Sequence, residues 1–147
     1  MPHPIAYLSF DGNCAEAMRF YASALDGKLE LMMTYGQAPA EMPMPPESRD
    51  RIMHARLVLA DGGTIYAGDC MPGQTYEGIK GVSLTMNYDT IAQAHKVFDA
   101  LADGGKVSMP MSPSFWSKSF GMLSDRFGTP WLINGELIAI EAPANVA

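Results

Sequence analysis

Alternation and helical spacing divide the chain into two similar halves. In "PIAYLSF" polar and apolar positions alternate along a β-rich run that "DGN" interrupts, which predicts a first strand ending near Phe10. A helical period follows. Cys14, Ala17, Met18, Tyr21 and Leu25 recur on one face of "CAEAMRFYASAL", with Asn13 as the expected N-cap and Gly27 as the stop. "KLELMMTY" predicts a second strand. "RIMHARLVLA" and "TIYAGD", joined by Asp61-Gly62-Gly63, predict a hairpin, because a tight reversal needs positive φ values that glycine adopts without steric cost.

The pattern then begins again. "GVSLTMNY" predicts a strand, "DTIAQAHKVFDALADGG" a helix with Ile91, Ala94, Phe98 and Leu101 on one face, and "KVSMPM" another strand. "FWSKSFGMLSD" and "WLINGE" close as a hairpin around "RFGTP", where Gly128 and Pro130 supply the turn. One constant offset superposes Asp11 on Asp89, Phe20 on Phe98, Ala22 on Ala100, Ala24 on Ala102, Gly27 on Gly105 and Lys28 on Lys106. A β-α-β-β-β unit is thus written twice, as module one over 1–70 and module two over 80–141. The Pro- and Glu-rich segment 36–50 cannot continue a strand ladder, and two readings of it stand: a surface loop, or a lid over a pocket. The tail after Glu141 is expected to fray.

Composition narrows the function classes. With 48% apolar and 18% charged residues in 147 positions, the chain has enough material for a core without a disulfide or metal. A net charge of -6 with no basic cluster opposes nucleic acid and anionic lipid as partners. Cys14 and Cys70 form no C-x-x-C motif, the start carries no secretory signal, and no apolar stretch reaches membrane-spanning length. A reduced, cytoplasmic protein is expected.

Three separated stretches, "YLSFDGNCAEAMRFY", "MHARLVLADGGTIYAGDCMP" and "FWSKSFGMLSDRFGTPWLIN", resemble the PhnB-like branch of the glyoxalase/bleomycin-resistance/dioxygenase family, within the vicinal oxygen chelate superfamily. The resemblance covers nearly the whole chain, and D-x-F-G-x-P-W is its most specific part. It implies an α+β protein over 1–147, two tandem β-α-β-β-β modules whose curved mixed sheets enclose a cavity, commonly as a homodimer. In metal-dependent relatives a divalent cation is held by His, Gln or Glu from the first and last strands of each module and acts as a Lewis acid. Placed by strand position, those four sites fall at Tyr7, Tyr66, Ser83 and Leu132 here. None of these is a cation ligand of that kind, so neither the family metal nor any other cofactor is expected.

The candidate groups follow. His54 in "IMHARL" is the candidate catalytic residue, since imidazole titrates near neutrality, set against an ordinary partly buried strand histidine. Tyr7, Tyr66 and Ser83 would line a pocket with hydroxyls, and Trp116 and Leu132 would add apolar surface. Trp131 is expected to pack between sheet and helix, Cys14 in the core, and His95 and His3 at the surface. The expected function is binding of a small organic molecule. Its rival is a lyase, isomerase or dioxygenase that recruits a metal through His54 with Asp69 or Glu136. Methyl transfer, attached to the branch by name, lacks a G-x-G-x-x-G loop.

Overall fold

The computed structural model describes residues 2–39, 44–71 and 73–140. The frayed tail and the middle of the Pro-rich segment expected from the sequence lie outside these residues. The chain divides into two compact units, Met1–Ile79 and Lys80–Ala147.

The first unit runs β1 (Ala6–Phe10), α1 (Cys14–Ala24), β2 (Gly27–Thr34), β3 (Ile52–Leu59) and β4 (Thr64–Asp69). Its four strands form one sheet in the order β1-β4-β3-β2, with β1 parallel to β4 and the other pairs antiparallel. The helix covers one face. Cys14, Ala17, Met18 and Tyr21 of α1 are buried with Leu8, Phe10, Ala55, Leu57, Ile65 and Ala67 of the strands. Strand residues between these buried ones project from the opposite face, since successive side chains alternate across a sheet.

The second unit repeats the order as β5 (Leu84–Tyr88), α2 (Ile91–Ala102), β6 (Lys106–Ser112), β7 (Ser117–Ser124) and β8 (Pro130–Leu137), arranged β5-β8-β7-β6. Ala94, Phe98 and Leu101 of α2 are buried, as are Leu123, Trp131 and Ile133. Trp131 is fully buried, and its indole N–H donates to Asp125 Oδ2 at 2.8 Å. Two four-stranded mixed sheets, each with its own helix, give the α+β architecture expected from the sequence.

Several local expectations give way to particular contacts. The Asn13 side chain does not cap α1. Asp69 at the end of β4 does so instead, its Oδ1 accepting from the backbone N–H of Gly12 at 2.8 Å and of Cys14 at 3.1 Å. The left-handed residue between α1 and β2 is Asp26, with φ 53°, and Gly27 is already the first residue of β2. The space around Gly27 is tight, since an added Cβ would lie 2.9 Å from Leu57 Cδ1 and 3.1 Å from Val58 O, and the Leu57 side chain would have to shift. In the second unit the strand begins at Leu84, so Ser83 stands just before it and is exposed. The base of the Pro-rich segment is tied together by Tyr35 N–H to Arg51 O and Gly36 N–H to Arg49 O, both at 2.9 Å.

Candidate functional site

Tyr7, His54 and Tyr66 meet on the helix-free face of the first sheet. Tyr7 on β1 pairs in register with Tyr66 on β4, and Tyr66 pairs with Arg56 on β3, which sets these side chains on one side. The His54 ring stands edge-on to Tyr66 at 5.0 Å between centroids and stacks against Tyr7 at 5.7 Å. Tyr7 reaches across the sheet because Gly68 lies beneath it. A Cβ on Gly68 would come within 2.7 Å of Tyr7 Oη and 2.8 Å of Met53 O. The Tyr7 hydroxyl donates to Met53 O at 3.1 Å, and partial burial, ahead of smaller effects from Cys14 and Tyr35, raises the pKa of its phenol. Tyr7 is therefore a neutral donor at physiological pH, 52% exposed, with an aromatic surface available to a ligand.

Arg56 belongs to the same face, a residue that sequence reasoning missed. It lies between Tyr66 on β4 and Leu31 on β2 in the ladder. Its Nε is shielded from solvent and finds no hydrogen-bond partner among the described residues. The signal was present in the strand period: once His54 is assigned to a face, Arg56 two residues on shares it.

The second sheet uses the equivalent positions differently. Thr85 pairs with Leu132 as Tyr7 pairs with Tyr66, so Thr85, and not Ser83, stands at the first-strand position. Trp116 packs edge-on against Phe120 at 4.9 Å, and its indole N–H donates to Asn134 Oδ1 at 3.0 Å. Asn134 in turn donates through Nδ2 to Asn87 Oδ1 at 2.9 Å. Phe120, the counterpart of His54, is buried, as is Asn134. Trp116, Phe120, Asn134 and Asn87 thus form a polar-aromatic network on the helix-free face here, while Thr85 on the same face is exposed. Neither Phe120 nor the two asparagines were singled out from sequence, since an asparagine on a strand reads as a turn residue until its partner is known.

The family metal can be tested on these positions. Phenol, phenol, alcohol and hydrocarbon stand at Tyr7, Tyr66, Thr85 and Leu132, a donor set that does not fit a divalent cation. The off-pattern ligands fare no better. Asp69 is 4% exposed and turned toward α1, with Oδ1 accepting from Gly12 and Cys14 and Oδ2 from Ile52 N–H at 2.7 Å. Glu136 pairs with Lys118 Nζ at 3.0 Å, which places an ammonium where a cation would bind. Among the described residues no three His, Cys, Asp or Glu side chains converge as a metal site.

Other reactive groups are held in structural roles. Burial, with Asp69 adding a smaller effect, pushes the Cys14 thiol up to about 12, so its place at a helix N-terminus does not activate it. Arg51 joins Asp11 Oδ1 at 2.8 Å and also donates to Cys70 O and Sγ, which holds the Asp11 carboxyl below its usual range. His95 is exposed, yet its Nε2 lies 2.8 Å from the buried Ser119 Oγ and so ties α2 to β7. At the end of the second sheet a pocket of ≈ 390 Å³ is lined by Asn87, Tyr88, Asp89, Lys118, Glu136 and Leu137. The left-handed Glu136, φ 56°, forms part of its wall.

Paired β-α-β-β-β units with these sheet orders define the glyoxalase/bleomycin-resistance fold. The same architecture occurs in a glyoxylase/bleomycin resistance protein/dioxygenase domain from Frankia sp. EAN1pec, with TM-score 0.65 at 15% identity over 92% of this chain and 98% of that one. A family model described as 3-demethylubiquinone-9 3-methyltransferase matches residues 3–134, and the chain belongs to that family, the PhnB-like branch of the fold. Protein YjdN of Escherichia coli (strain K12) is 32% identical over 136 residues, which is 87% of this chain and 91% of YjdN. Protein PA1353 from Pseudomonas aeruginosa is 46% identical with TM-score 0.83, over 91% of this chain and 97% of that one. A PhnB protein from Bacillus cereus is 25% identical with TM-score 0.74, over 90% and 98%.

Proposed function

We propose that the chain is a PhnB-like protein that binds a small organic molecule against the helix-free face of its first sheet, a face that the resemblance expects to line the ligand pocket. One observation carries the reading: Tyr7, His54 and Tyr66 form a contiguous ring cluster on a face that α1 leaves uncovered. Flat aromatic surfaces with a few polar edges are what small-molecule sites use to hold planar ligands. Within the second unit Thr85 and Leu132 hold the equivalent ladder positions, with Ser83 just before the strand, and the Trp116 N–H is engaged by Asn134. His54 is the candidate proton-transfer group, should a reaction accompany binding. No divalent cation is assigned to the site, for the chemical reason given by its donor set.

Methyl transfer, the activity in the family's description, gains no support from a glycine-rich strand-to-helix loop in this sequence. No described helix is long and apolar enough to cross a membrane. The proposal includes a cytoplasmic homodimer, and sedimentation giving a monomer mass at micromolar concentration would remove the dimer from it. The binding reading is tested with benzamide as a neutral planar probe, following the ring resonances of Tyr7 and Tyr66 by NMR. Saturable shifts in both, weakened by His54→Leu, are expected. Ring signals that do not move with benzamide defeat the reading.

A further inference from the structure

We infer that the pocket at the end of the second sheet binds a neutral amide group, a carboxamide or lactam, whose carbonyl accepts from Asn87 Nδ2–H and whose N–H donates to the Glu136 carboxylate. The site is separate from the first-sheet face and rests on its own residues. A chain of hydrogen bonds fixes which atom Asn87 turns outward. An indole N–H can only donate, so the Trp116 bond at 3.0 Å holds Asn134 with Oδ1 toward the ring. Asn134 then donates through Nδ2, and Asn87 receives that bond on Oδ1 at 2.9 Å. Asn134 is buried, and turning its amide over would set N–H against N–H where water cannot compensate. The oxygen of Asn87 is thereby used, and its Nδ2 group remains for the pocket that this exposed side chain lines.

The other polar groups of the wall decide the ligand's charge. Glu136 accepts from Lys118 Nζ through Oε1 at 3.0 Å, and its Oε2 has no partner among the described residues. Asp89 sets a second carboxylate against the ammonium of Lys118. An anion entering here meets both carboxylates, and Lys118, the group that could hold it, is already engaged. An organic ammonium meets Lys118 and the Asn87 donor, neither of which can accept from it. A neutral amide carries an acceptor and a donor on neighbouring atoms and gives each a complementary partner, Asn87 for one and Glu136 for the other. At ≈ 390 Å³ the pocket lies at the small end of the range that organic ligands occupy.

Small probes of similar size separate these chemistries. 2-Piperidone carries both amide groups, N-methyl-2-piperidone lacks the N–H, piperidinium is a cation of nearly the same shape, and pentanoate supplies the anion. Titrated into the full chain, 2-piperidone is expected to move the Asn87 Nδ2–H resonances saturably. It should bind on the order of tenfold more tightly than each of the others, as one hydrogen bond to a charged acceptor implies. Asn87→Asp keeps an acceptor for Asn134 and offers the pocket no donor, so it should abolish 2-piperidone binding, followed at the Glu136 backbone amide, and reverse the order in favour of piperidinium. Unmoved Asn87 signals, another probe binding as tightly as 2-piperidone, or undiminished binding in N87D overturn the assignment. If N87D does not fold, the wild-type comparison decides: a tenfold gap between 2-piperidone and its N-methyl derivative supports the inference, and equal affinities overturn it. Shifts confined to the Tyr7 and Tyr66 rings would place the probe on the first sheet and overturn this inference alone.

Discussion

The carboxylate of Asp69, on the last strand of the first unit, accepts from the backbone N–H of Cys14, the first residue of α1, at 3.1 Å across 55 positions of sequence. It also accepts from Gly12 and Ile52, so one side chain joins the start of the helix, the loop before it and the start of β3. In the second unit Gly135 stands at the same ladder position, opposite Tyr88 as Asp69 is opposite Phe10. There α2 approaches so closely that a Cβ would lie 2.8 Å from Ala94 Cβ, and Thr90 caps the helix locally. The two repeats thus solve the same helix start in different ways. Asp69→Ala leaves three backbone donors without their acceptor, two of them in buried surroundings, and should cost about 3 kcal/mol or more of stability. Urea denaturation checks this, and a loss below about 0.5 kcal/mol would contradict the capping role, since that is the scatter of neutral surface changes.

Gly68 is the second structural requirement. With an added methyl group, Tyr7 Oη and Met53 O would both stand closer than 3 Å to it. Gly68→Ala should therefore break the Tyr7 hydroxyl bond and lift the ring from His54, at a cost of about 1–3 kcal/mol for overpacking. The ring-current shifts between Tyr7 and His54 should collapse, and benzamide should lose its effect on Tyr7. A variant that keeps wild-type tyrosine shifts would show that the ring does not depend on the glycine.

Much of this was legible in the sequence because periodicity is a local property. The two units, both helices and the glycine turns follow from spacing within short windows, and Trp131 and Cys14 were assigned to the core on the same basis. What escaped depends on distant partners. Asn13 had the right side chain at the right place for a cap, yet Asp69 arrives from a distant strand with two oxygens that accept from Gly12, Cys14 and Ile52. Ser83 was two residues short of Thr85 because only ladder pairing, Thr85 with Leu132, fixes register. Arg56 was not singled out, since its place between Tyr66 and Leu31 is fixed only by ladder pairing.

Cys14 yields a pH prediction. Its thiol is raised from about 9 to about 12, chiefly by burial. A folded pKa above the unfolded one means that the unfolded chain releases the proton first as pH rises. The stabilising contribution is complete below about pH 9 and is lost as pH climbs toward 12, at most about 1.4 kcal/mol per pH unit for one proton. Tyr7 and Tyr35 are raised as well and act in the same direction, so the informative quantity is the difference from Cys14→Ala. The wild-type protein should lose stability more steeply than C14A across this window. Parallel curves would mean that Cys14 is not buried as described.

The two tryptophans should separate cleanly by their surroundings. Trp131 is fully buried under α2 with its N–H on Asp125, whose other oxygen accepts from Phe127 and Thr129 in the turn. Trp116 is only partly buried, and the exposed Phe115 ring meets it edge-on at 4.9 Å. Replacing Trp131 by Phe removes a buried donor from a carboxylate and opens a void, so about 2–4 kcal/mol of stability should be lost. Trp116→Phe leaves Asn134 Oδ1 without its indole donor at a site that water can reach in part, and should cost about 1 kcal/mol. Acrylamide should quench the emission that remains in W131F more strongly than the emission that remains in W116F. Equal quenching of the two would place Trp116 in the core and withdraw it from the set of residues able to meet a ligand.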